Sequence, residues 1–179
     1  MAKKIFFTMI AILLVINMAF ADSSPPEEIR SIALSAKEEV ENYLEKVIDS
    51  GKVSLGEIFS TFYIPIPESN PPKYHTVYDR KIEADLQIIL DKHLDKSPKL
   101  DYVVAVDREG YAPTHNSLYC KPQGRDKTLY NDQIGMQVNR SQSPILQKYL
   151  RDNGDVLYDY AVQIYVKEKR WGALRVGFF

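Results

Sequence analysis

Cysteine is nearly absent: Cys120 stands alone in 179 residues. A single thiol closes no internal disulfide, so an exported chain of this size has to be held by its core. Covalent haem attachment through CxxCH is excluded as well, because it needs two cysteines. A basic excess is also missing. The 23 Lys and Arg against 24 Asp and Glu leave a formal net charge of −1, which is no electrostatic footprint for nucleic acid. Glycine-rich phosphate loops, paired glutamates on one face and Ser-His-Asp arrangements do not occur, nor do internal repeats or low-complexity tracts. After residues 5–18 no apolar run approaches the roughly 20 residues that span a bilayer.

That first run is informative. "MAKK" is a short positive start, "IFFTMIAILLVINM" is apolar but shorter than a span, and "AFA" ends at Ala21 with a small-x-small pattern. Together they predict an export signal over residues 1–21, cleaved after Ala21, and one domain over 22–179 that is periplasmic or secreted. Losing Lys3 and Lys4 with it takes the net charge from −1 to −3.

Within the domain, Ser-Pro-Pro before Glu27 and Glu28, and Gly51 at the far end, predict a long helix over about 24–50. Ile29, Ile32, Ala33, Ala36, Val40, Tyr43, Leu44, Val47 and Ile48 form its apolar stripe. A short helical piece lies around "SLGEIFSTF" and a proline-rich extended loop follows. A second amphipathic helix carries Ile82, Leu86, Ile89, Leu90 and Leu94. From Leu100 the period changes to that of strands. "LDYVVAV", the turn "DREG" and "YAPTH" read as a hairpin, and "TLYN" as a short strand. "SPILQKYLRD" reads as a helix capped by Ser143, with Pro144 at its first position. "VLYDYAVQIYV", a charged turn and "WGALRVGFF" read as a final hairpin. The class is α+β, with the helices on one face of an antiparallel sheet and room for a pocket beneath residues 116–152 on the other.

Three chemistries fit the side chains. A hydrolase would use Cys120 as nucleophile, His115 as base and Asp107 as orienter, but nothing around Cys120 activates a thiol. A metal site would draw on His75, His93 and His115 with Asp79, whose spacings match no ligand pattern. A binding pocket needs only an aromatic lining and a few fixed donors. Twelve tyrosines and the strand "WGALRVGFF" offer both. Strict alternation puts Trp171, Ala173, Arg175 and Gly177 on one face, where Arg175 either clamps a carboxylate beside the indole or pairs with a neighbouring acid on a solvated surface.

The blocks "DYVVAVDREGYAPTHNSLY", "YNDQIG" and "YLRDNGDVLYDYAVQIYVKEKRWGALRVGFF" occur in order, preceded by "FYIPIPESNPPKYHTVYD". Over Phe59 to Phe179 the chain resembles the PAS-like, Cache-type sensory domain of bacterial methyl-accepting chemotaxis transducers. The resemblance implies an antiparallel sheet of about five strands flanked by a long N-terminal helix. It also implies extracytoplasmic sensing without catalysis, and the expected partner is a small-molecule ligand, with no metal and no resident cofactor. On that basis Tyr111, His115, Asn116, Trp171 and Arg175 are the candidate ligand-binding residues. The alternative is a PAS-type domain holding haem non-covalently, with His115 or His75 as axial ligand. The expected form is stand-alone, passing its signal to a membrane receptor or kinase by docking, or pairing with a second copy through the N-terminal helix.

Overall fold

The computed structural model describes residues 24–120, 124–151 and 154–179; the expected export signal lies outside the described residues. Helix α1 spans Glu27–Asp49, with Glu27 and Glu28 in its first turn and Lys46 in its last, each complementing the helix dipole. Its stripe of Ile29, Ile32, Ala33, Ala36, Val40, Leu44 and Val47 is buried. Helix α2 (Leu55–Ile58) carries a capping box made by Ser54 and Glu57. The two-residue strands β1 (Ile64–Pro65) and β2 (Tyr74–His75) pair within the proline-rich loop. Helix α3 (Asp79–Leu94) buries Ile82, Leu86, Ile89 and Leu90. Burying side chains of this size contributes roughly 1.5–3 kcal/mol each, and both long helices realise it against the same face of one sheet.

That sheet contains β3 (Leu100–Asp107), β6 (Ile145–Leu150), β7 (Val156–Val166) and β8 (Lys169–Phe178), in the order β3-β8-β7-β6 with antiparallel neighbours. The fold is therefore α+β, but the main sheet has four strands where about five were expected. Strand β4 (Tyr111–Ala112) does not fold back on β3. It pairs instead with β5 (Thr128–Leu129), the first half of the expected "TLYN" strand. Asp107 turns the chain away: its carboxylate accepts the Glu109 and Tyr111 amides, while Gly110 takes a φ of +89°. Beside β3, Asn116 accepts the Val103 amide through Oδ1 at 2.7 Å.

A second correction concerns "SPILQKYLRD", which is strand β6 and not a helix. Ser-Pro is a local start signal, whereas six consecutive partners on β7 are a tertiary one, and pairing overrides propensity. The helix of this region is α5, Gln133–Arg140, which follows the short α4 (Ser117–Cys120). Asp132 caps α5, accepting the Gly135 amide at 2.8 Å. Arg170 reaches from β8 to donate to the Val138 and Asn139 carbonyls at its far end.

The β7–β8 hairpin turns on Lys167 and Glu168, both at positive φ although neither is glycine. Carboxylates of α1 hold its tip: Glu41 accepts the Tyr165 amide at 2.7 Å and Glu45 the Lys167 amide at 2.8 Å, while Asp49 pairs with the Lys167 ammonium. On β8, Arg170 faces Tyr165 and Gly172 faces Ile164, so one step on β7 matches two on β8 and Trp171 is the extra residue of a bulge. The bulge reverses the alternation expected from sequence. Trp171 joins Leu174, Val176 and Phe178 on the helix-covered face, and Ala173 and Arg175 stay on the other.

Candidate functional site

The second face of the sheet carries Tyr102 and Val104 from β3, Arg175 from β8 and Tyr149 from β6. Opposite them lie Arg125, Tyr130, Asp132 and Ile134 from the insertion, and between the two layers is a cavity of about 600 Å³. His115 closes one side, and Leu150 and Arg151 another. The insertion is fixed by backbone bonds from Lys127 to Ala112 and from Tyr130 to Gly110. Lys73 also pairs with Asp126, and Lys127 with Glu83.

Three guanidiniums face this space in different states. Arg175 is buried and donates through Nε to Asp159 at 2.9 Å and through Nη2 to the same oxygen, with the Tyr130 ring 5.6 Å away. Burial disfavours its charge, but Asp159 outweighs burial and holds its pKa above the ordinary arginine value. Arg151 pairs with Asp101. Arg125 lies over the Tyr119 ring at 4.8 Å, and among the described residues no carboxylate pairs with it. Asp132 is occupied in part by the α5 cap.

His115 is 2% exposed, and its Nδ1 accepts the Asn116 amide at 2.8 Å. That contact fixes the tautomer: the proton sits on Nε2, which has no protein partner among the described residues. Burial, reinforced by Arg125 and Arg175, pushes its pKa down to about 3, so the ring is neutral and a hydrogen-bond donor. Burial raises the phenols too, Tyr130 to about 12 and Tyr102 well above its ordinary value. The lining is thus donor-rich and aromatic, and Arg125 is its one guanidinium without a carboxylate partner among the described residues.

Of the five predicted site residues, the structure brings His115 and Arg175 to the cavity. Asn116 is adjacent but buried, its side chain bridging the Val103 amide and Asp91. Tyr111 lies in the helix-side core, donating to Asp79 at 2.9 Å and to the Tyr74 carbonyl. Trp171, moved by the bulge, donates from Nε1 to the Ile58 carbonyl at 2.9 Å. The expected pairing of indole and guanidinium on one face does not form. Arg125, Tyr130, Asp132, Tyr149 and Arg151 were missed; their only signal was arginine and tyrosine recurring in an otherwise polar stretch.

The other constellations do not assemble. The Cys120 thiol donates to the His115 carbonyl at 3.3 Å, not to its ring, and accepts from Gln87. Asp107 is bound by Tyr63 and Tyr78 on the helix side. His75 pairs with Asp79 and His93 with Glu39, and among the described residues no group of three or more ligating side chains converges. Haem does not fit His115 either, because an axial imidazole offers a lone pair at the nitrogen that here keeps its proton. His75 uses Nδ1 on Asp79 and has Nε2 against Arg80.

Among the described residues no helix is long and apolar enough to cross a membrane. No family model matches the sequence, and no curated protein matches it. Among solved structures, an extracellular ligand binding receptor from Desulfohalobium retbaense DSM5692 is similar at a TM-score of 0.45 and 12% identity, over 87% of this chain and 26% of that one. The chain thus spans about a quarter of that receptor's length.

Proposed function

We propose that the protein is an extracytoplasmic sensory domain that binds a small organic acid in the cavity between the sheet and the insertion, by binding alone and without catalysis. The observation that carries this reading is Arg125: a guanidinium on the cavity wall with no carboxylate partner among the described residues, beside the obligate Nε2–H donor of His115. A carboxylate is the group that such a pair of donors recognises, and Tyr102, Tyr130 and Tyr149 cover the remainder of a ligand. Neutral His115 is a poor base, and the Cys120 thiol is turned toward a carbonyl; neither equips the cavity for turnover. The export-like first 21 residues and the resemblance to chemotaxis sensory domains support a periplasmic role in signal transduction. Occupancy is passed on by docking to a membrane receptor or kinase. Helix α1 offers less for pairing with a second copy, since Leu34 is its one large exposed apolar side chain.

Thermal-shift measurements against a panel of organic acids test the reading. An acid at about 100 times its dissociation constant stabilises the domain by about 2.7 kcal/mol, and Arg125→Gln removes the response while the unliganded melting temperature holds. A panel in which no acid acts, or in which Arg125→Gln responds like the wild type, overturns it.

A further inference from the structure

Two buried acceptors beneath the cavity floor have no donor among the described residues. Asp159 is 0% exposed; its Oδ2 takes both bonds from Arg175, and its Oδ1 takes none. Gln147 is 7% exposed; its Nε2 donates to the Ile134 carbonyl at 3.1 Å, which fixes the amide and leaves Oε1 without a partner. These two residues are direct cross-strand partners on β6 and β7, so their side chains start about 5 Å apart on the same face. Flipping the Gln147 amide gives no relief, because it would set Oε1 against the Ile134 carbonyl. An orphaned buried acceptor is costly, and one kept in a native structure calls for a reason, such as strain, a functional role or a donor supplied from outside the chain. The neighbours of both orphans, Arg175 and Ile134, line the cavity.

We infer that Asp159 Oδ1 and Gln147 Oε1 form an inner subsite for a group bearing two or more N–H donors, and that the cavity's ligand therefore carries an amino group as well as its carboxylate. This rests on the organic-acid reading above and narrows it. A primary ammonium gives one N–H to each acceptor and a third to Tyr or water, whereas a simple acid leaves both acceptors unmet. Arg175 lines the cavity and bonds Asp159, so an ammonium that reaches Oδ1 from the cavity requires its side chain to yield space while keeping its bond to Oδ2.

The test uses matched pairs that differ only in the amino group: butyrate and gamma-aminobutyrate, hexanoate and norleucine, hydrocinnamate and phenylalanine, succinate and aspartate. Dissociation constants for the full domain are measured by calorimetry. In at least one pair the amino member is expected to bind about tenfold tighter or better, the value of hydrogen bonds to a charged group. Gln147→Met is expected to weaken the amino member of a pair more than its simple acid, erasing most of that preference. Asp132→Asn, which still caps α5, is expected to preserve the preference. Acids that bind with no gain from the amino group overturn the subsite but leave the organic-acid reading standing, and so does a high-resolution structure of the complex with only water between the two acceptors. A preference lost in Asp132→Asn and kept in Gln147→Met assigns the amino group to Asp132 and also overturns it. If neither member of any pair binds, the organic-acid reading fails and the subsite with it.

Discussion

Acidification acts on His115 in a way that the geometry makes calculable. The ring is buried and its Nδ1 lone pair is used by the Asn116 amide, so the folded state binds a proton poorly, with a pKa of about 3. In the unfolded chain the same ring takes its proton near pH 6.5. A depressed folded pKa gives stability that is whole above the unfolded value and is lost as pH falls toward the folded one. The loss from this one residue is about 2 kcal/mol at pH 5 and approaches about 5 kcal/mol below pH 3. For a domain of this size the first figure corresponds to a fall in Tm of about 4–8 °C between pH 7 and pH 5. His93, whose pKa burial also lowers, and the carboxylates contribute to the raw curve, so a comparison isolates His115. In His115→Asn the side-chain oxygen takes over the Asn116 amide but does not titrate. Unfolding in urea at several pH values is expected to show the wild-type advantage shrinking by about 2 kcal/mol from pH 7 to pH 5. A difference between the two proteins that stays constant with pH, or a His115 ring proton that titrates near pH 6 by NMR, refutes the buried neutral assignment.

Other outcomes follow from single contacts. Trp171 is the one tryptophan and is 1% exposed on the helix side, so its fluorescence should be blue-shifted, protected from acrylamide, and unchanged by ligands that shift the Tm. Gly177→Ala places a Cβ 2.2 Å from the Tyr102 ring and should destabilise by about 1–3 kcal/mol in thermal unfolding. Arg175→Met leaves Asp159 charged and unpaired in the core and should cost about 3–5 kcal/mol, much of it recovered in the double variant Arg175→Met, Asp159→Leu. Equal stability of single and double variants would show that the pair is not desolvated as described.

What the sequence disclosed was whatever depends on local period. The stripe of α1, from Ile29 to Val47, and that of α3, from Ile82 to Leu94, each repeat for more than three turns, and the β-branched run of β3 admits no helix. What it hid depends on distant partners. Ile145 to Leu150 alternates weakly behind a strong Ser-Pro start signal, and only the presence of β7 decides the matter. Trp171 was assigned to the wrong face because one inserted residue reverses every side chain beyond it, and no alternation count reveals a bulge. Arg125 and Tyr130 reach the cavity through an irregular segment whose path is set by Lys73, Glu83 and Ala112, all remote in sequence. Arg175 was legible as a choice between clamp and ion pair; the structure gives it both the cavity and Asp159.

The carboxylates at the hairpin tip act as a vernier. Four residues along α1 advance about 6 Å and two along β7 about 6.6 Å, so Glu41 and Glu45 meet the Tyr165 and Lys167 amides in step. One such bond would let the helix pivot; two in phase fix both its roll and its travel. The first helix and the tip of the last hairpin are therefore tied at two points in register, at the Lys169 end of β8.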